Sequence, residues 1–286
     1  MRKNYGPIYA MPIALWISVF FAIPIAIILL YSFLKKGLYG GVVLAFTLDA
    51  YRALLNSTFL RVALTTLWLS AASTVATLFL ALPTAYFIAR SMHKNALLLL
   101  VIIPFWTNFL IRIYAWIAIL GNNGFLNNAL LSMGIIHSHP QLLYNQYAVI
   151  IVLMYTYLPF AILPLYASIE KFDFSLLEAA RDLGASKSQS IVKVLLPNIK
   201  AGITTAVLFT FIPAFGQYAI PQLVGGKDSF MVGTIIAREL TVTRNWPLSS
   251  SISMVLTLIT TIGVLLFFRF SRSAAETRRN SSASSV

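Results

Sequence analysis

The sequence predicts an all-α integral membrane protein with six transmembrane helices and a helical cytoplasmic loop between the fourth and fifth. Three observations predict it. Of the 286 residues, 59% are hydrophobic and only 10% are charged, where a soluble domain carries roughly 25% charged residues. Uncharged runs long enough to cross about 30 Å of hydrocarbon recur along the chain, and over such runs helices satisfy their own backbone hydrogen bonds. The charge that is present is concentrated. Nine charged residues, Glu170, Lys171, Asp173, Glu178, Arg181, Asp182, Lys187, Lys193 and Lys200, lie between Ala167 and Ala201.

Residues 1–10 form an N-terminal segment carrying Arg2 and Lys3. Met11–Leu34 is the first span. Its uncharged run begins at Asn4 and far exceeds the roughly 7–15-residue core of a signal peptide, so an uncleaved span is expected, with Trp16 facing lipid. Val62–Ala89 is the second span, between Arg61 and Arg90. Ala96–Leu120 is the third, interrupted by Arg112. Tyr147–Ser168, Ala201–Val224 and Trp246–Phe268 complete the six, giving a transmembrane domain over 11–270. Glycines 37, 40, 41, 121, 124, 225 and 226 mark turns in three connecting loops. The Ser- and Arg-rich tail 271–286 has no apolar periodicity and predicts disorder.

An even number of spans leaves both termini on one side. With the termini inside, the inner segments hold 13 basic residues and the outer ones 7. That bias predicts both termini in the cytoplasm. The net charge of +13 is thereby explained by topology, and nucleic acid is not an expected partner. There is no cysteine, which excludes disulfides, thiolate metal sites and cysteine nucleophiles. His93, His137 and His139 have no metal-binding spacing, and no metal is expected.

The charged loop has internal order. Ser175-x-x-Glu178 fits a capping box. Leu176, Ala180 and Leu183 follow at helical spacing. Gly184 suits the position that ends a helix. Ser186 and Gln189 repeat the box, Ile191, Val194 and Leu195 form a second apolar stripe, and Pro197 marks the approach to the next span. Two short helices joined at Gly184 are expected. The small residues Ala179, Ala180, Gly184 and Ala185, set among Glu178, Arg181, Asp182 and Leu183, suit either a plain surface hairpin or a face that docks closely into a partner.

The order Glu178-Ala179-Ala180, Gly184, Val194 and Leu196-Pro197, placed between the fourth and fifth spans, resembles the EAA loop of permease subunits of ATP-binding-cassette importers. Position 194 departs mildly, since Ile is usual there. Further segments resemble the spermidine/putrescine permease branch and its PotB-like subunits: Phe46–Tyr51, Pro104–Asn108, Leu110–Tyr114, Ile169–Asp173, Leu223–Lys227 and Asn245–Pro247. The resemblance implies a core formed by the later five helices and a location in the bacterial plasma (inner) membrane. It implies that residues 178–185 form a coupling helix seated in a cleft of an ATPase dimer, which binds ATP and Mg. It also implies a second, homologous permease subunit and an external substrate-binding protein. This chain itself would bind no cofactor.

The residues agree with a transporter driven by a partner. Gly225-Gly226-Lys227-Asp228 is no P-loop, because the first glycine is replaced by Pro221 and the final Ser/Thr by Asp228. No predicted span holds the Asp, Glu or His that an ion-coupled carrier normally uses. No cluster of acid, base or nucleophile suggests an enzyme. An ion-coupled carrier, or an importer of an opine, an amino acid derivative or an organophosphonate, remains the alternative to polyamine import.

For a cationic polyamine, aromatic faces offer about 0.5–2 kcal/mol each. Trp106 and Tyr114, eight apart on one expected helix, with Tyr157, Phe215 and Tyr218, are the candidate path. Each also suits a core or lipid-facing role. Arg112, the one charge inside a predicted span, is structural or lines a gate. Pro159, Pro164 and Pro213 permit kinks within spans.

Overall fold

The apolar runs fold as helices, with breaks that hydropathy does not reveal. The computed structural model describes the backbone of residues 6–283 and the side chains of 11–267 and of Arg269. Expectations for 1–5 and 284–286 lie outside the described residues. In chain order come α1 (Met11–Ser32), entered by helical backbone from Gly6, then β1 (Leu34–Lys36), β2 (Val42–Phe46) and a helical turn at Asp49–Ala53. Next are α2 (Ser57–Arg90), α3 (Lys94–Trp106), α4 (Phe109–Leu120), α5 (Phe125–Ser132) and α6 (Gln146–Ile169). They are followed by α7 (Ser175–Asp182), α8 (Lys187–Asn198), α9 (Lys200–Phe215), α10 (Ala219–Val224), α11 (Val232–Thr241) and α12 (Trp246–Ala283).

Five stretches among the described residues are long and apolar enough to cross a membrane: Met11–Ser32, Ser57–Arg90, Phe109–Ser132, Gln146–Ile169 and Trp246–Phe267. A sixth is counted if α8 and α9, bent by 76°, are taken as one span.

The third expected span, Ala96–Leu120, is not one helix. Pro104 sits in the first turn of a 3₁₀ segment at Ile103–Trp106, and Thr107 leaves the helix at ψ 145°. The Asn108 side chain then accepts the Leu110 N–H at 2.8 Å and caps α4. Trp106 and Tyr114 therefore stand on different helices. The fifth expected span is broken too. α9 ends at Gly216, and Gln217 Oε1 accepts the N–H groups of Tyr218 (2.9 Å) and Ala219 (3.2 Å), which starts α10. Uncharged Pro, Thr, Asn, Gly and Gln make these breaks, so a reading by charge and apolarity passes over them. At the far end, the backbone of 271–283 continues α12 where composition suggests disorder; Ala274, Ala275, Glu276, Arg278 and Arg279 are good helix formers.

The chain divides into two compact units. One holds the residues up to Arg61 together with Ile235–Arg269. Within it, α1 has no buried residue from Met11 to Leu30, and Trp16 is exposed, as suits a helix that is apolar all round and faces lipid. β1 and β2 pair antiparallel, Lys36 opposite Val42, Lys35 opposite Val43 and Leu34 opposite Phe46, with a bulge between Leu34 and Lys35. Gly40 and Gly41, at φ 97° and 75°, close this hairpin in a region that favours glycine.

The other unit covers 62–234 and contains both apolar cores. The first is built from Leu69, Ile113, Leu120, Val149, Leu153, Tyr157, Ala214, Ile220 and Met231. The second, around the 169–200 loop, holds Ala81, Ala85, Ile88, Ile162, Leu165, Ile169, Leu177, Leu195, Ile199 and Ala206. α6 is the most buried of the candidate spans and packs mainly on α9. α2 turns a stripe of small and hydroxylated residues inward: Thr66, Ser70, Ser73, Thr74, Thr77, Ala81 and Ala85. Thr66, Thr74 and Thr77 each donate to the carbonyl four residues back, at 2.7 Å. Hydroxyls satisfied in this way can be buried, and small residues let helices approach closely.

Candidate functional site

The 169–200 loop folds as two short helices joined at Gly184, as expected. Gly184 has φ 91°. Its N–H donates to the Arg181 carbonyl at 2.8 Å, and the Ala185 N–H donates to that of Ala180 at 3.0 Å. These are the paired bonds of a Schellman end to α7. The Ser186–Gln189 capping box is present with both reciprocal bonds: Gln189 N–H to Ser186 Oγ at 3.2 Å and Ser186 N–H to Gln189 Oε1 at 3.0 Å. Ser186→Ala is expected to cost about 1 kcal/mol of local helix stability. Hydrogen exchange would read it as faster exchange over 187–190, and unchanged exchange there would dismiss the cap.

The first expected capping box does not form. Ser175 is already inside α7, Phe174 is the N-cap, and no side chain caps it. Asp173 Oδ1 instead accepts the Ser175 N–H at 3.0 Å, and this bonding with Ser175 holds the Asp173 carboxyl below its ordinary pKa. Asp173, two residues earlier, takes the Ser175 N–H that the Glu178 side chain was expected to serve, and Glu178 is left exposed.

The expected apolar stripe of α7 faces outward. Leu177 is the residue this helix buries, at 2% exposure, in the second core. Leu176 is 46% exposed and Leu183 90%. Ala179, Asp182 and Gly184 are exposed as well, while Ala180, Arg181 and Ala185 are half-buried. A hypothetical Cβ on Gly184 meets nothing within 4 Å. The result is an open face of small and apolar side chains, rimmed by Glu178 and Asp182, on a helix anchored from behind by Leu177. The second stripe behaves as expected: Leu195 is buried, with Ile191 and Val194 packed beside it.

The anchor extends to the neighbouring helices. Lys94 Nζ donates to Glu170 Oε1 at 2.7 Å, and the Tyr166 hydroxyl donates to the same atom at 2.6 Å. The hydrogen bond with Lys94, more than any other influence, holds the Glu170 carboxyl below its ordinary pKa, and the bond to Glu170 raises that of Lys94. Both are therefore charged at neutral pH; the pair is lost in acid as pH falls through the lowered Glu170 value, and in strong base as pH rises through the raised Lys94 value.

The five expected path aromatics do not form one cluster. Trp106, Tyr114 and Tyr218 are exposed, whereas Tyr157 and Phe215 are buried. Among the described residues no two of the five stack on each other; Phe215 stacks on Phe211 at 5.5 Å. Arg112 lies one turn beyond the Thr107–Asn108 break. Its guanidinium sits 5.3 Å from the Phe105 ring centre and 5.9 Å from that of Phe109. Its Nε is enclosed without a hydrogen-bond partner among the described residues. From Phe105 the aromatic contacts run edge-on to Phe160 (5.1 Å) and on to Tyr157 (6.2 Å). The Tyr157 hydroxyl in turn accepts from Gln217 Nε2 at 3.0 Å. A run of aromatic contacts with polar groups at its ends thus joins the break before α4 to the break before α10. Sequence reasoning missed Gln217; the available signal was an amide beside Gly216 inside an otherwise apolar run.

Comparison with known proteins places this geometry. Residues 75–278 match the family model described as "Binding-protein-dependent transport system inner membrane component". The chain is 39% identical over 259 residues to the spermidine/putrescine transport system permease protein PotB of Escherichia coli (strain K12), covering 90% of this chain and 94% of that one. It is 38% identical over 256 residues to PotB of Haemophilus influenzae (89% and 90%), and 30% identical over 223 residues to the inner membrane ABC transporter permease protein YdcU of Escherichia coli (strain K12), with 73% and 71% covered. The crystal structure of a bacterial ABC transporter involved in import of the acidic polysaccharide alginate shares the fold at TM-score 0.74 and 19% identity, over 95% of this chain and 96% of that one. With its EAA-type loop carried on the matched helices, the chain belongs to the family of inner-membrane components of binding-protein-dependent transport systems, the permease subunits of ABC importers.

Proposed function

We propose that the chain is the polyamine-translocating permease subunit of an ATP-driven importer for spermidine and putrescine. The observation that carries the proposal is the 39% identity to PotB across 90% of the chain. In this reading Glu178 to Ala185 are the contact with an ATPase dimer that binds ATP and Mg. The open face with exposed Leu183 and unobstructed Gly184 supports it, since exposed apolar side chains on a structured element suit a docking partner. The termini and the loop lie in the cytoplasm, in keeping with the distribution of basic residues. A second, homologous permease completes the pathway, and an external binding protein delivers substrate. A solved neighbour of the same fold is in complex with a periplasmic protein bound to an alginate pentasaccharide.

Trp106, Tyr114 and Tyr218 offer exposed aromatic faces to a passing cation, and Tyr157 and Phe215 are buried. Arg112 repels a polyamine and would act at a gate or in holding the break. ATP binding closes the ATPase dimer, α7 and α8 move, and access alternates.

The test is uptake of labelled putrescine and spermidine by cells without polyamine importers of their own, expressing this chain with its cognate partners. ATP-dependent uptake blocked by polyamines, and not by amino acids or phosphonates, is the expected result. An assembled, ATP-hydrolysing complex that takes up no polyamine would overturn the substrate and leave the permease assignment standing.

A further inference from the structure

Two cations at the junction of α2 and α3 grip the segment that leads into α7. Lys94, the first residue of α3, bonds Glu170 at the C-cap of α6. Arg90, the last residue of α2, lies over the ring of Phe174, the N-cap of α7, at 5.4 Å, and over Tyr86 at 5.9 Å. Arg90 Nη1 also donates to the Tyr86 hydroxyl at 3.1 Å, and the Tyr86 and Phe174 rings meet edge-on at 6.1 Å. Phe172 also meets Phe174 edge-on, at 5.6 Å. The short connection between α2 and α3 is thus tied at both its ends to both ends of 170–174.

Energetics separate this arrangement from ordinary packing. The Lys94 and Glu170 side chains are 45% and 40% exposed, and pairs so open to water add little to stability. Their effect is to fix geometry. The chain itself connects α7 to α6 through 170–174 and to α8 through 183–186. Nothing covalent joins α7 to α2 or α3, and α3 leads directly to the break at Thr107–Asn108 and to Arg112. We propose that the Lys94–Glu170 and Arg90–Phe174 contacts are a clamp that passes displacement of α7 to α2 and α3. Lys94 and Arg90 are then positioning residues for transport, touching neither ATP nor substrate. This rests on the reading of α7 as the ATPase contact.

The measurement is labelled putrescine transported per ATP hydrolysed, in proteoliposomes holding the full complex and its binding protein. Lys94→Glu and Glu170→Lys alone should each lower that ratio several-fold, while assembly and ATP hydrolysis stay near parental. The doubly exchanged chain should recover most of the ratio. Parental coupling in both single variants, or a double exchange no better than either alone, would overturn the clamp. If a reversed charge prevents assembly, Lys94→Met and Glu170→Gln carry the test, and parental coupling in both overturns it equally. Gly184→Arg is measured alongside. Transport by that variant sinks the reading of α7 itself, whereas its loss beside fully coupled clamp variants removes only the clamp.

Discussion

Gly184→Arg is expected to abolish uptake while the chain still inserts and folds. In the folded chain Gly184 is exposed, and no atom lies within 4 Å of where a Cβ would stand. Its φ of 91° charges any L side chain about 1–2 kcal/mol locally, too little to unfold a protein whose cores lie elsewhere. On the proposed reading of α7 as the ATPase contact, the damage falls on the docked state. A long cation at the centre of a close-fitting patch should cost about 3 kcal/mol or more, as central interface residues do, which is roughly a hundredfold or more in affinity. Copurification of the ATPase should fail while the melting temperature of the isolated chain falls by only about 2–4 °C, the size of the local strain. A graded series sharpens the result. Gly184→Ala shares the backbone strain but adds one carbon, so it should retain much of the uptake. Equal loss in both variants would transfer the role of Gly184 from close approach to backbone conformation, and normal uptake by the Arg variant would remove α7 from the ATPase contact.

Gly202→Val should strongly disrupt the packing of α9 on α6. Gly202 is buried on α9 where that helix crosses α6, and a Cβ there would run into the Ser168 side chain and lie 2.9 Å from the Pro164 carbonyl oxygen. The serine can rotate away, but the backbone oxygen cannot. Pro164 also frees no room, because it already sits inside α6. Forcing extra carbon into such packing costs about 1–3 kcal/mol, on the order of 5 °C in apparent melting temperature for a chain of this size. Fluorescence-detected melting of the detergent-solubilised chain reads it directly. Gly263→Val on α12 is the control, since nothing lies within 4 Å of its Cβ position. Equal melting of the two variants would mean that the α6–α9 crossing tolerates separation.

The chain's organisation was legible where a residue's chemistry acts locally. Charge cannot enter lipid cheaply, so charged intervals mark the connections between spans, and α2, α6 and α12 were visible as uncharged runs. Gly184 and the Ser186–Gln189 box were legible because each needs only its neighbours along the chain to form its bonds. The Ser175–Glu178 box failed because Asp173 competes for the same amide within that turn, and a pattern match does not weigh competitors. The breaks at Thr107–Asn108 and Gly216–Gln217 were hidden because uncharged residues make them.

By itself the sequence determined a multi-span helical membrane protein, the position of its charged loop and that loop's two-helix form, since hydropathy and capping depend on near neighbours. Only the tertiary structure decided that Leu177 turns inward while Leu176 and Leu183 stay open, and that Tyr157 is buried where Tyr114 is exposed. It alone brought Lys94 to Glu170 across 76 residues of chain. Periodicity places side chains on a helix; which face is covered depends on the helices that happen to pack there, and those come from distant parts of the sequence.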